Sequence, residues 1–196
     1  MAKAAKAKKA VNMEEALWKS ADKLRGSVEP AEYKHVVLSL IFLKYANDRF
    51  EEQRKKIIAA GREKFVDVKA FYTKDNVFYL TPETRWSYIM ANAKQDNIAL
   101  LIDTALFTIE QNNEQLKGAL PDNYYSRLNL DTTKLASLLD VIDGIETSDK
   151  EPLLDVLSPG RGVSFYRIKL HIPHHIHEIL EGIPNTEHLH PKTDWH

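Results

Sequence analysis

Cysteine is missing from this 196-residue sequence. Disulfides and thiolate metal centres are thereby excluded, and a reducing compartment is the natural home of such a chain. No apolar run approaches the length needed to span a bilayer, so neither a membrane helix nor a membrane partner is expected. The opening MAKAAKAKKAV has lysines but no apolar segment of the secretory kind, and a cytoplasmic location is the expectation. Internal repeats are absent as well. A strong net charge is also lacking, at −1 overall, but that value conceals an asymmetry. Residues 1–60 hold 13 Lys and Arg against 8 Asp and Glu, while the remainder holds 14 against 20. A phosphate-binding surface would therefore have to be local.

What is present is helical patterning. Apolar residues make up 43% of the chain, enough for a core of one domain. Leu17, Ala21 and Leu24 recur at i, i+4 and i+7, and Gly26 follows where a C′ glycine can take positive φ. The spacing predicts helices over about 13–25 and 30–58, with Pro30 in the first turn of the second and Gly61 as its stop. From Val36 to Leu43 only Ser39 is polar, so that helix should be buried on nearly all sides. A short helix is expected around Val66–Phe71. Val77 to Leu80 reads as an extended segment or a minor strand pair. Thr81 and Pro82 read as the N-cap and first residue of a helix with Trp86, Ile89 and Met90 on one face. Ile98, Leu101, Ile102, Ala105, Leu106 and Ile109 form a full stripe over 97–111. A last helix should begin at the N-cap Asp131, carry Leu135, Leu138, Leu139 and Ile142, and end before Gly144. Residues 117–123 read as loop.

These elements divide the chain into a basic arm over 1–12, a mostly α, bundle-like domain over 13–149 with at most a small β element, and a tail over 150–196. In the tail, prolines and glycines from Pro152 to Pro191 interrupt every long helix, and seven of the eight histidines lie between His171 and His196.

The ordered motifs of the middle segment carry a resemblance. Leu17-Trp18, Ala21-Asp22, Leu24-Arg25-Gly26 and Glu32-Tyr33-Lys34-His35-Val36-Val37-Leu38 are followed by Asn76-Val77-Phe78-Tyr79-Leu80-Thr81-Pro82, Arg85-Trp86, Ala91-Asn92-Ala93-Lys94 and Leu116-Lys117-Gly118-Ala119-Leu120-Pro121. Together they resemble the N-terminal helical domain of the modification subunit of type I restriction–modification systems, which are N6-adenine DNA methyltransferases. The resemblance covers roughly 13–149. It implies a domain that helps close the methyltransferase around duplex DNA. It also implies contact with a second modification subunit or the specificity subunit, and indirectly with the restriction subunit. In the full-length family enzyme the cofactor is S-adenosylmethionine. The family pattern would continue through a Gly-Glu-Phe-Tyr-Thr-Pro motif into the catalytic domain, which is not found here. The tail is accordingly expected to be a divergent segment from truncation or frameshift; an independently evolved short protein is the alternative.

The chemistry such an enzyme needs is not spelled out in this chain. Enzymes of the resembling family hold the flipped adenine's amino group with an Asn-Pro-Pro-aromatic motif, and no Asn-Pro-Pro occurs. The Gly-rich string from Asp155 to Gly162 places Phe165 where a third glycine would stand, and reads as a plain turn. No catalytic or cofactor-binding residue is therefore assigned, and the chain alone is expected to be inactive. His171, His174, His175 and His177 cluster beside Glu178, but Pro173 breaks helical spacing and no His-Glu-x-x-His appears. They read as a solvated His-rich stretch, and no metal site is assigned.

The DNA-contact candidates are basic residues near the turn between the first two helices: Lys19, Lys23, Arg25, Lys34, His35, Lys44 and Arg49. Lys and Arg gain affinity for DNA by releasing its counterions, whatever the sequence. The competing use of these cations is to solvate helix surfaces or to pair with Asp22, Glu29, Glu32 and Asp48. His35 reads as a structural histidine or a phosphate contact. Tyr33, Trp86 and Tyr88 have the stacking chemistry for bases, yet at these spacings core or partner-interface roles compete. Three functions remain open: a DNA- and subunit-binding domain, an intact adenine methyltransferase with an unrecognised site, and an interaction domain that makes no DNA contact.

Overall fold

The computed structural model describes residues 30–145, together with Lys19, Leu24, Gly26 and Val28. The side chains of Pro30, Ala31, Tyr33 and Lys34 fall outside that description, as do Lys23, Arg25, the arm over 1–12, most of the helix expected over 13–25, and the tail over 150–196. Within residues 30–145 six α-helices follow one another: α1 (Pro30–Ala59), α2 (Ala70–Thr73), α3 (Trp86–Ala91), α4 (Ile98–Asn112), α5 (Tyr124–Leu128) and α6 (Thr132–Asp143). Short 3-10 turns lie at Glu63–Phe65, Pro82–Thr84 and Glu114–Leu116. No strand runs through the described residues, so the mostly α reading holds.

Helix α1 is the axis. At 1.5 Å per residue its 30 residues run about 45 Å. Every residue from Val36 to Leu43 is buried, Ser39 included. Helix α6 packs against α1 and α4 packs against α6, and Ile102, Ala105, Leu106 and Ile109 of α4 and Leu135, Leu138, Leu139 and Ile142 of α6 join this stretch in one buried core. Ser39 stays soluble in this core through hydroxyl chemistry. Its Oγ lies 2.7 Å from the Tyr125 hydroxyl and 2.7 Å from the His35 carbonyl, and the Tyr125 hydroxyl donates to the Val36 carbonyl at 2.6 Å. Burial raises the Tyr125 pKa above the ordinary phenol value, with the Ser39 hydrogen bond acting the other way.

Helix α1 stops as its sequence dictates. Gly61 takes φ +70, its N–H donates to the Ile58 carbonyl at 2.8 Å, and the Arg62 N–H reaches back to Ile57 at 3.1 Å. This pair of bonds is the Schellman closure, which needs a left-handed residue at C′. Gly26 likewise has φ +73. Asp131 caps α6 by accepting from the Lys134 N–H at 3.1 Å. Gly144 follows α6 but keeps φ −76, so it ends that helix without left-handed backbone.

Three local expectations change. The short helix around Val66–Phe71 is replaced by a 3-10 turn at Glu63–Phe65 and a one-turn helix beginning at Ala70, with Val66 at the joint. Thr81 precedes only a 3-10 turn and makes no side-chain cap; Thr84 Oγ1 instead donates back to the Thr81 carbonyl at 2.9 Å. Helix α3 therefore starts later, at Trp86, and still buries Trp86 and Ile89. The 77–80 segment forms neither helix nor strand. The side chain of Asn113 takes the place of a strand partner: its Oδ1 accepts the Tyr79 N–H at 2.9 Å and its Nδ2 donates to the Tyr79 carbonyl at 3.1 Å.

Candidate nucleic-acid interface

Positioning of any surface on this domain depends on how its short elements are pinned. The N-terminal N–H groups of a helix need acceptors, and short helices have few of their own. Here the acceptors arrive from the long helices. Asn47 of α1 accepts the Trp86 N–H with Oδ1 at 3.0 Å, and the Trp86 indole donates to Asp143 at 2.9 Å. Asp103 of α4 accepts the N–H groups of Tyr125 and Ser126 at 2.9 and 2.8 Å, which caps α5 from another helix. Gln53 donates to the Phe71 carbonyl at 3.0 Å and to Asp75 at 2.6 Å, tying α2 to α1. Asn47, Gln53, Asp103 and Asn113 are all buried.

The basic candidates on α1 are not presented as one patch. At about 100° per residue, Lys44 projects roughly 180° away from His35 and about 140° from Arg49. His35 and Arg49 share a face but stand roughly 21 Å apart along the axis. Lys44 is only 12% exposed in its side chain and is paired with Asp48. Arg49 pairs with Glu52 at 3.0 Å, and Lys56 reaches the same carboxylate at 2.7 Å. The Lys56 hydrogen bond, opposed by desolvation and helped by the charges of Lys56 and Arg49, holds the Glu52 carboxyl below its ordinary pKa. His35 is exposed and meets the Tyr124 ring edge-on at 5.9 Å. Lys19 is exposed. Of the aromatics, Trp86 is buried in the core, whereas Tyr88 is exposed.

A second cationic region escaped the sequence reading. Residues 54–74 contain seven Lys and Arg against two acids, Glu63 and Asp67. The chain reversal at Gly61 brings Arg62 and Lys74 beside Lys56 and Arg49 around one cleft. The signal lay in that local density, but the convergence depends on the turn. No group of metal-ligating side chains occurs among the described residues, and no helix among them is long and apolar enough to cross a membrane.

With this geometry in place, comparison with known proteins is informative. The HsdM N-terminal domain family matches residues 13–145. A curated relative, the type I restriction enzyme MjaIX methylase subunit of Methanocaldococcus jannaschii, is 34% identical over 158 residues, covering 73% of this chain. The chain spans only 28% of that relative's length. A family match across most of the folded helices, together with that degree of identity, shows that the chain belongs to the HsdM N-terminal domain family, the N-terminal domain of the modification subunit of type I restriction–modification systems.

Proposed function

We propose that this domain binds duplex DNA and docks against other subunits of a type I restriction–modification assembly. The observation that carries the reading is the family match over residues 13–145, which spans the whole helical core. Methylation of adenine N6 with S-adenosylmethionine then belongs to the methyltransferase portion of a modification subunit, and this chain supplies no cofactor site of its own. DNA affinity comes from cations near the first helical turn, with Lys23 and Arg25 joined by Lys19, Lys34 and His35, while Arg49 contributes separately, roughly 21 Å along α1 from His35. Lys44 contributes only after leaving Asp48, so it ranks last. Sequence choice rests with the specificity subunit, and the cytoplasm is the expected location.

The subunit-contact half of the reading draws on α4. Leu100 and Phe107 lie seven residues apart on its outer face and are 56% and 55% exposed. Large apolar side chains at that spacing form a stripe suited to a protein partner. Nearly three quarters of the methylase relative lies outside the match, and the methyltransferase portion of a modification subunit is the occupant we assign to this face.

The test is fluorescence anisotropy with duplex DNA at low and moderate salt. Weak, sequence-independent binding that falls with salt is expected. The K23E/R25E variant should bind less well on any sequence, with a flatter salt dependence. Absence of binding at low salt leaves an interaction domain without DNA contact as the better reading. Calorimetry should show no stoichiometric binding of S-adenosylmethionine; saturable binding would restore the intact-enzyme reading.

A further inference from the structure

The cleft at the far end of α1 holds more positive charge than its own carboxylates neutralise. It measures about 360 Å³ and lies between the last turns of α1 and the 71–77 segment. Its charged lining is Arg49, Lys56, Arg62 and Lys74, against Glu52 and Asp75. Glu52 is shared by Arg49 and Lys56. Asp75 is turned toward Gln53 and stands 3.8 Å from Lys74. Arg62 has no carboxylate partner among the described residues. Its guanidinium lies 6.0 Å from the centroid of Phe71, and the Lys74 ammonium lies 5.1 Å from the same centroid. One aromatic ring thus steadies two cations at the cleft, without cancelling their charge.

We propose that this cleft seats a backbone phosphate of DNA, with Arg62 and Lys74 as its principal contacts. The inference rests on the DNA-binding reading above and adds a site to it. Two features favour a polyanion over a free phosphate ion. Three more exposed lysines that form no ion pairs among the described residues, Lys55, Lys64 and Lys69, lie in the same 54–74 segment as the cleft residues Lys56, Arg62 and Lys74 and add positive charge for a polyanion. Ile57, Ala60 and Val77 give the cleft an apolar wall, suited to the sugar beside a phosphodiester rather than to a hydrated ion. The volume, at roughly 30 Å³ per water, holds on the order of ten waters, so a phosphate group enters without displacing protein.

Anisotropy with duplex DNA at low salt tests this on the full chain with three paired reversals. R62E/K74E removes the proposed contacts. K94E/K117E makes the same charge change at exposed lysines elsewhere on the domain. K23E/R25E reports on the first-turn region. The expected result is about tenfold weaker binding for R62E/K74E and a salt slope shallower by about two units, with K94E/K117E within about twofold of wild type. R62Q/K74Q, which only removes charge, should weaken binding in the same direction and keep the wild-type circular dichroism and unfolding midpoint. Equal losses for R62E/K74E and K94E/K117E would overturn the proposal, since net charge alone would then explain both. Loss with K23E/R25E but not with R62E/K74E overturns the cleft and leaves the DNA-binding reading intact. No binding by the wild type overturns both.

Discussion

The two ends of α1 are one unbroken helix and behave as different materials. From Val36 to Leu43 every side chain is buried, and the helix is held in the apolar core that it shares with α6, its packing neighbour, and with α4. From Arg49 onward the same helix is largely a carrier of charge, with Arg49, Glu52 and Lys56 in one ion-pair network and only Phe50, Gln53 and Ile57 buried. The inner end draws on area removed from water, which is worth roughly 25 cal/mol per Å². The outer end has little such area and exposed pairs worth about 0–1 kcal/mol each. A helix can therefore be anchored at one end and present chemistry at the other, and stability and function can be altered separately along it.

Substitutions probe that contrast in descending order of effect. Leu40→Ala, at a fully buried site, should cost about 2–5 kcal/mol in urea unfolding. A loss below about 1 kcal/mol would mean the inner end is not the anchor. Asp103→Ala strips the acceptors from the Tyr125 and Ser126 N–H groups, and should cost about 1–3 kcal/mol.

Alkaline pH should act on both ends at once. Burial pushes Tyr45, Tyr72 and Tyr124 up to about 12 from 10.0. Their raised folded values mean that the unfolded chain loses those protons first. Stability is then full below pH 10 and falls as pH rises toward about 12. Thermal unfolding followed from neutral pH to about pH 11 should show the decline beginning near pH 10; a flat profile would remove burial as the cause.

Gly61→Ala should cost about 1–2 kcal/mol, all of it from left-handed backbone, because a Cβ there meets no atom within 4 Å. Differential scanning calorimetry gives the value, and no loss would show that the outer end tolerates a different stop. Smallest of all, Leu100→Gln should leave stability within about 0.5 kcal/mol of wild type, because that side chain contributes to a surface and not to the core.

The long elements were legible because their signals are local. The α4 stripe, the Asp131 cap, the buried run from Val36 and the Gly61 stop all use residues within a few positions of one another. The pairing of Lys44 with Asp48 was legible for the same reason. What was not legible depends on partners far along the chain. Helix α5 has five residues between Asn123 and Asn129, both left-handed, and its cap comes from Asp103. Nothing local announces it. The 77–80 segment carried β-favouring residues, but whether it would find a strand depended on Asn113. The cationic cleft was hidden similarly, since Lys74 meets Lys56 only after the chain turns at Gly61.

The buried amide of Asn113 also bears on how the domain reaches its structure. Tyr79 and Asn113 are separated by 34 positions, Asn47 and Trp86 by 39, and Trp86 and Asp143 by 57. Each of these closures requires a long loop of chain to be restrained before its hydrogen bonds form. A helical domain joined this way does not assemble from neighbouring turns alone, and should fold more slowly than a helical bundle of similar size built on local contacts.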